Sequence, residues 1–194
     1  MFLEPSEKLN HTILFQHFDD IKNDYFTFKQ NNLFQDYISI DDCINNPKNT
    51  GYYWQVCPIF FMGNIFPNSS QLIRKSKILD CITRFTILPT IATFSILAPN
   101  SKIDTHKDHD DNRAIDTKNI LADLRTTSMV KYHLAIEIPT DNVSTITVSE
   151  ETRTLKVKDL NIFDETSPHG VNNYSLTMPR GVLICSWLRS DLYE

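Results

Sequence analysis

The residues that could do chemistry are His106, Asp108, His169 and Arg180. The first two close the segment SKIDTHKD, which reads as a strand. Side chains alternate faces along a strand, so His106 and Asp108 project to one side and Lys107 to the other. An imidazole and a carboxylate on one face, joined by a second imidazole from elsewhere, make the two-His, one-carboxylate set of non-haem iron oxygenases. His169, in FDETSPHG, is the candidate for that second imidazole, and Arg180 follows in PRGVLICSW. An HxD pair arises by chance in any acidic loop, so its meaning depends on the elements that position it.

The faces of three further segments supply that context. In MVKYHLAIEI, alternation puts Val130, Tyr132, Leu134, Ile136 and Ile138 on one face and Lys131, His133, Ala135 and Glu137 on the other. Arg180 shares a face with Val182, Ile184 and Ser186, and Ser95 shares one with Thr93 and Leu97. If these polar faces line one barrel, its interior holds imidazoles, a carboxylate, two cations and a hydroxyl. Burying them unpaired is costly, and a metal with an anionic ligand is the simplest resolution.

Six segments from residue 90 onward read as short strands: ATFSIL, SKIDTHKD, MVKYHLAIEI, STITVSEETRTLKVK, LNIFD and GVLICSWL. Upstream, Phe15, Phe18, Ile21 and Tyr25 recur near helical spacing and predict a helix over residues 11–23. A second short helix is predicted over 32–38, with Asp41-Asp42 capping a further turn. Residues 51–66 are aromatic and β-like, and a helix is expected over 70–85 with Ser69 or Ser70 as N-cap and Pro89 beyond its end. The pattern is mainly β with N-terminal helices, a β-sandwich or small barrel with helices packed outside. One domain over 1–194 is expected, with 1–50 as helical support and 51–194 as the β core. The connection 109–128 begins with His109, Asp110 and Asp111 and then predicts a helix over 116–124. It reads either as a lid at the barrel mouth or as a solvated surface loop.

Composition narrows the function classes. With 194 residues the chain can bury a real core. It has only four glycines and no GxGxxG or GxxxxGK[ST], which disfavours a nucleotide-binding loop. A net charge of −5 without a basic stripe argues against a nucleic-acid partner. Cys43, Cys57, Cys81 and Cys185 form no CxxC pair, which disfavours a zinc ribbon or a disulfide scaffold. The start, MFLEPSEKLN, lacks the basic and apolar regions of a signal peptide, and no apolar run is long enough for a membrane span. A cytoplasmic protein with reduced cysteines and no membrane partner is expected.

The stretch from Phe94 to Leu192 resembles the aspartyl/asparaginyl β-hydroxylase family of iron- and 2-oxoglutarate-dependent oxygenases. FSILAPNSKIDTH is similar to that family's FS-x-L-x-PG-x-x-I-x-x-H strand pair, and KYHLAIEIP to its R-x-HL-x-L-x-IP strand. ETRT followed by LNIFDETSPHGVNN is similar to its hairpin and FDDS-x-x-H-x-x-x-N turn, and RGVLICSW to its closing R-x-x-L-x-x-D-x-W strand. Four pieces in the right order over about half the chain are far more specific than HxD.

The resemblance implies a double-stranded β-helix, the jelly-roll fold of cupins, with Fe(II) as metal and 2-oxoglutarate and O2 as cosubstrates. By it, His106 and His169 are the iron-binding histidines, and Arg180 forks onto the distal carboxylate of 2-oxoglutarate. Ser95 matches a serine that helps hold that cosubstrate, and His133 a histidine lining the catalytic pocket. Lys131 falls at a cosubstrate-binding arginine; it keeps the charge and loses the fork, so its role stays open. Asp108 stands where the family carries glycine, and is closer to amino-acid hydroxylases such as proline 3-hydroxylase, which use a full HxD…H triad. Asp110 or Asp111 in its place, or a two-His site, are the alternatives. The implied reaction is hydroxylation of an amino acid, free or as an Asp/Asn-type residue in a peptide or protein. The competing reading is a non-catalytic cupin-like module that binds a small anion or a metal.

Overall fold

A computed structural model describes residues 1–37, 54–66, 69–108 and 129–193 of the chain. The helices are α1 (Ile13–Gln16), α2 (Phe18–Gln30), α3 (Gln71–Arg74), α4 (Lys77–Ile82) and α5 (Arg189–Tyr193). The early strands are β1 (Gln35–Asp36), β2 (Trp54–Phe61) and β3 (Asn64–Ile65). The others are β4 (Ile91–Leu97), β5 (Ser101–His106), β6 (Met129–Glu137), β7 (Ser144–Val148), β8 (Glu151–Thr154), β9 (Leu160–Asp164), β10 (His169–Asn173) and β11 (Arg180–Leu188).

Two antiparallel sheets result. The larger runs β1-β2-β4-β11-β6-β9 with β3 paired to β2, and the smaller runs β5-β10-β7-β8. From β4 to β11 the chain changes sheet at every step except β7 to β8, which form a hairpin. That path is a jelly roll, the double-stranded β-helix of cupins.

Alternation decides what each face buries. Ala92, Phe94 and Ile96 of β4, Val130, Tyr132 and Leu134 of β6, and Leu183, Cys185 and Trp187 of β11 all pack into one cluster with the helices. In α2, Phe18, Ile21, Tyr25 and Phe28 form the buried stripe at helical spacing that meets this face. The opposite face meets the small sheet: Leu97, Ala135 and Phe163 pack with Ile146, Val148 and Val171. The central strands are therefore apolar on both sides, and the polar side chains among them stand out.

Several local expectations are corrected. Residues 32–37 are not helical: Asn32 adopts φ 54° and ends α2, and Gln35–Asp36 pairs with β2. The helix expected over 70–85 is two helices. Ser70 accepts from the Ile73 N–H at 3.3 Å as N-cap, then Ser76 turns extended and its hydroxyl donates to Ile73 O at 2.7 Å. Asp24 of α2 accepts from the Ile78 N–H at 2.7 Å and starts α4 from outside. The helical layer thus draws on both sides of residue 50. The face pattern of β6 breaks at a bulge: Val182 pairs with Ala135 but Gly181 with Glu137, leaving Ile136 as the extra residue. Ile138 then joins the inter-sheet cluster, and Glu137 turns to the helices instead of sharing the face of Lys131. The strand SKIDTHKD ends at His106, so Lys107 and Asp108 lie beyond it. His169, expected on a turn, begins β10. Asp41, Asp42 and the connection 109–128 lie outside the described residues.

Glu137 locks α2 to the sheet, accepting from the Tyr25 hydroxyl at 2.6 Å and from Lys29 Nζ at 2.7 Å. A Cβ at Gly181 would meet the Tyr25 hydroxyl oxygen at 2.1 Å. Gly181→Ala is therefore expected to lower stability by about 1–3 kcal/mol, the usual cost of overpacking. Urea denaturation checks this, and a midpoint equal to wild type would show that α2 can shift freely on the sheet.

Candidate active site

The register of β10 on β5 sets His169 directly opposite His106. Their ring centroids are 4.4 Å apart. His106 Nδ1 lies 2.7 Å from Asp104 O, and His169 Nδ1 lies 2.9 Å from Ser167 O. A carbonyl can only accept, so Nδ1 carries a proton in both rings, and Nε2 is the atom left to face Asp108 or an ion. Metal-binding histidines are oriented in this way. The close approach depends on Gly170, where a Cβ would sit 3.0 Å from Ile103 O and 3.2 Å from Thr105 N.

Asp108 arrives by a bend, not by strand alternation. Its backbone N–H donates to Glu165 O at 3.4 Å, which turns the chain back over the ladder. Its Oδ1 is then 3.3 Å from His106 Nε2 and its Oδ2 3.4 Å from His169 Nε2. The three ligand atoms lie within 4.8 Å of one another, so one ion could take all three. Lys131 Nζ contacts Asp108 Oδ2 and stands 3.6 Å from Glu165 Oε2. Burial works against the charge of Asp108, but Lys131 and the two imidazoles outweigh it and hold the carboxyl well below its usual range. Burial also opposes the Lys131 charge, and the two carboxylates override it upward. The hydrogen bond to Asp108 raises His106.

A second group of buried polar side chains adjoins this cluster. Phe163 has its ring 5.0 Å from both His169 and His133, so one apolar wall serves both. Neither His133 nitrogen has a hydrogen-bond partner, and the same is true of Arg180 Nε and Nη2, all fully enclosed. Burial, then the charge of Arg180, pushes His133 well below its ordinary pKa, so the ring is neutral. Burial lowers Arg180 only to about 10, so the guanidinium is charged at neutral pH. Ser95 pairs with Val182, one step diagonal from Arg180. Trp54 Nε1 donates to Ser95 Oγ at 2.9 Å, which leaves the Ser95 hydroxyl proton to donate elsewhere. Tyr37 stacks on Trp54 with centroids 3.9 Å apart.

The structure therefore brings His106, Asp108, His169 and Lys131 into one cluster, with His133 beside it across Phe163. Arg180 and Ser95 lie on neighbouring strands of the same interior. His109, Asp110 and Asp111 lie outside the described residues. Sequence reasoning missed Glu165, only 3% exposed, and Trp54. Glu165 had a signal, since it takes the place of the second acid in the FDDS-x-x-H pattern. Trp54 had none, because its bond to Ser95 spans 41 positions.

With fold and site in view, the chain belongs to the aspartyl/asparaginyl beta-hydroxylase family, whose model matches residues 16–190. No curated protein matches it. Among solved structures it is similar to the plu4264 protein from Photorhabdus luminescens, with 15% identity and a TM-score of 0.36. That match covers 53% of this chain and 65% of the other, less than two thirds of its length. The Cupin_2 domain of an XRE family transcriptional regulator from Enterobacter cloacae matches at 16% identity and TM-score 0.36, covering 50% of this chain and 79% of that one. A predicted oxalate decarboxylase from Thermotoga maritima matches at 10% identity and TM-score 0.39, covering 70% and 80%. Among the described residues no helix is long and apolar enough to cross a membrane.

Gly170→Ala is expected to push β10 off β5 and separate the paired imidazoles. Divalent-metal affinity should fall about 10–100-fold, the scale of losing ligand orientation, while the protein remains folded. Calorimetric titration with Mn(II), beside a circular dichroism melt, checks both halves. Unchanged affinity would mean that the ladder has slack.

Proposed function

We propose that this hydroxylase uses Fe(II) and 2-oxoglutarate to hydroxylate a carbon of an amino acid, free or within a peptide or protein. The observation that carries the reading is a buried, charged guanidinium with two unpaired donors beside a two-His, one-carboxylate cluster. Leaving such donors unsatisfied is strongly unfavourable, and a carboxylate accepts from them as a fork. The donor set fits iron, since imidazole nitrogens and one carboxylate in a facial arrangement suit Fe(II) and leave positions open. Charge fits as well. Asp108 and Glu165 are balanced by Lys131 and Arg180, so adding a divalent cation together with a dianion keeps the interior neutral.

His106, Asp108 and His169 would hold the metal, and Arg180 with the Ser95 hydroxyl would hold the far carboxylate of 2-oxoglutarate. Iron with 2-oxoglutarate and O2 supplies oxidative decarboxylation to succinate and carbon dioxide, coupled to oxygen insertion into an unactivated C–H bond. The chain's share is orientation and exclusion of water. Asp104 and Ser167 carbonyls aim the imidazoles, Trp54 occupies a lone pair of Ser95 and leaves its proton to donate, and Phe163 and neutral His133 line the wall.

Succinate formation from 2-oxoglutarate with added Fe(II) and ascorbate is the direct test. Binding of metal and 2-oxoglutarate with no turnover against amino-acid and Asp/Asn peptide panels would favour the non-catalytic cupin-like module. One divalent ion per chain is expected, and His169→Ala should lose most of it along with all turnover. Arg180→Ala should weaken 2-oxoglutarate by about 2–5 kcal/mol with little effect on metal, and Arg180→Lys should recover part of that. Equal loss of metal in both Arg180 variants would make the guanidinium structural.

A further inference from the structure

We infer that Lys131 is a positioning residue for the Asp108 carboxylate, acting on the metal's ligand and not on the cosubstrate. The inference rests on the reading of His106, Asp108 and His169 as one metal site. Three observations lead to it. Asp108 lies past the end of β5, and the bond that turns its backbone inward, to Glu165 O, is long at 3.4 Å. No strand ladder therefore fixes its side chain, yet both of its oxygens are aimed, Oδ1 at His106 and Oδ2 at His169. Lys131 supplies the missing restraint, because its ammonium contacts Oδ2.

Lys131 is itself held firmly. It sits in β6 between Ser186 of β11 and Phe163 of β9, so two ladders fix its backbone. Its side chain is 18% exposed. Glu165 Oε2 stands 3.6 Å from the ammonium. The Glu165 backbone spans the same elements, donating its N–H to Met129 O at 3.0 Å and accepting from Asp108 N. An ammonium has three donors and no acceptor, and here two carboxylates draw on it. An ionised carboxylate has about four lone-pair sites, so Oδ2 can hold Lys131 while other lone pairs face an ion.

The arrangement divides the two cations of the interior. Lys131 is engaged by acids of the chain, whereas Arg180 leaves two donors without a partner. A flexible point charge suits the first task and a planar fork the second. The departure to lysine at 131 and the carboxylate at 108 then form one unit: the acid can serve as a ligand because the cation beside it is committed to aiming it.

A double-mutant cycle on metal affinity tests this, with Mn(II) titrated by electron paramagnetic resonance in the absence of cosubstrate. Lys131→Met, which keeps the stem and removes the charge, should weaken Mn(II) about 10–100-fold. Asp108→Ala should weaken it at least as much, and the double variant no further, since Lys131 would act only through Asp108. Lys131→Arg should retain most of the affinity. On Mn(II)-saturated protein, 2-oxoglutarate should bind Lys131→Met within about threefold of wild type, in contrast to Arg180→Ala. Additive losses in the double variant, or unchanged Mn(II) with weakened 2-oxoglutarate in Lys131→Met, would overturn the inference. Removing the ammonium takes an ion-pair partner from Glu165, so Lys131→Met with Glu165→Gln is the second background, with the same outcomes expected if the single variant does not fold. His169→Ala separates the two levels: wild-type Mn(II) affinity there would sink the metal site itself, whereas its loss beside an additive cycle would sink only the role of Lys131.

Discussion

Two imidazoles face each other across one rung of the β5–β10 ladder, and the rest of the site depends on that register. A slip of one residue would turn every side chain of β10 to the opposite face. The register is secured at both ends of the strand. At the start, Gly170 admits the backbone of β5 at a distance no side chain would tolerate comfortably. At the end, Asn173, buried to 2% exposure, reaches the carbonyls of Leu97, Ala98 and Met178 with one amide nitrogen. Those carbonyls belong to the end of β4 and the approach to Arg180. One side chain therefore ties the histidine strand, the serine strand and the arginine strand together, and the placing of Arg180 relative to the paired histidines is built into the fold.

The same interior separates two kinds of polar burial. Around Asp108 the polar groups satisfy one another: imidazole, carboxylate, ammonium, carboxylate. On the other side, Arg180 Nε and Nη2 and both nitrogens of His133 have no partner. Phe163 lies at the boundary and touches both imidazoles that flank it. In a low-dielectric interior a complete network is rigid and an incomplete one is strongly unfavourable, so the incomplete half is where a ligand gains most by binding.

Much of this was legible in the sequence, and the failures share one cause. The faces of β4 and β11 follow from strict alternation, because both strands run regularly between two apolar layers. The jelly roll was legible from four ordered pieces, each carrying both apolar pattern and polar markers. β10 was not: HGVNN has one β-branched residue with a glycine and two asparagines, a composition that disfavours strands, and its place comes from the ladders on either side. The break between α3 and α4 depends on Asp24 of α2, and the reach of Asp108 on a bend held by Glu165. Each miss is a local conformation set by a partner far along the chain, which no window of sequence contains.

The bulge in β6 shows how such a distant constraint reaches the chemistry. Under strict alternation Glu137 would face the interior with Lys131 and His133, across from the start of β11 where Arg180 enters. A carboxylate there would pair with the guanidinium and neutralise it. The extra residue, Ile136, reverses the parity, sends Ile138 inward and turns Glu137 to the helix layer. On that side Glu137 is taken up by the Tyr25 hydroxyl at 2.6 Å and by Lys29 at 2.7 Å. Gly181, its partner across the ladder, has no side chain to obstruct Tyr25. Helix docking and the free charge of Arg180 are thus two results of one backbone irregularity. It diverts an acid that alternation would have placed on the face of Lys131 and His133, as bulges beside functional sites re-aim side chains.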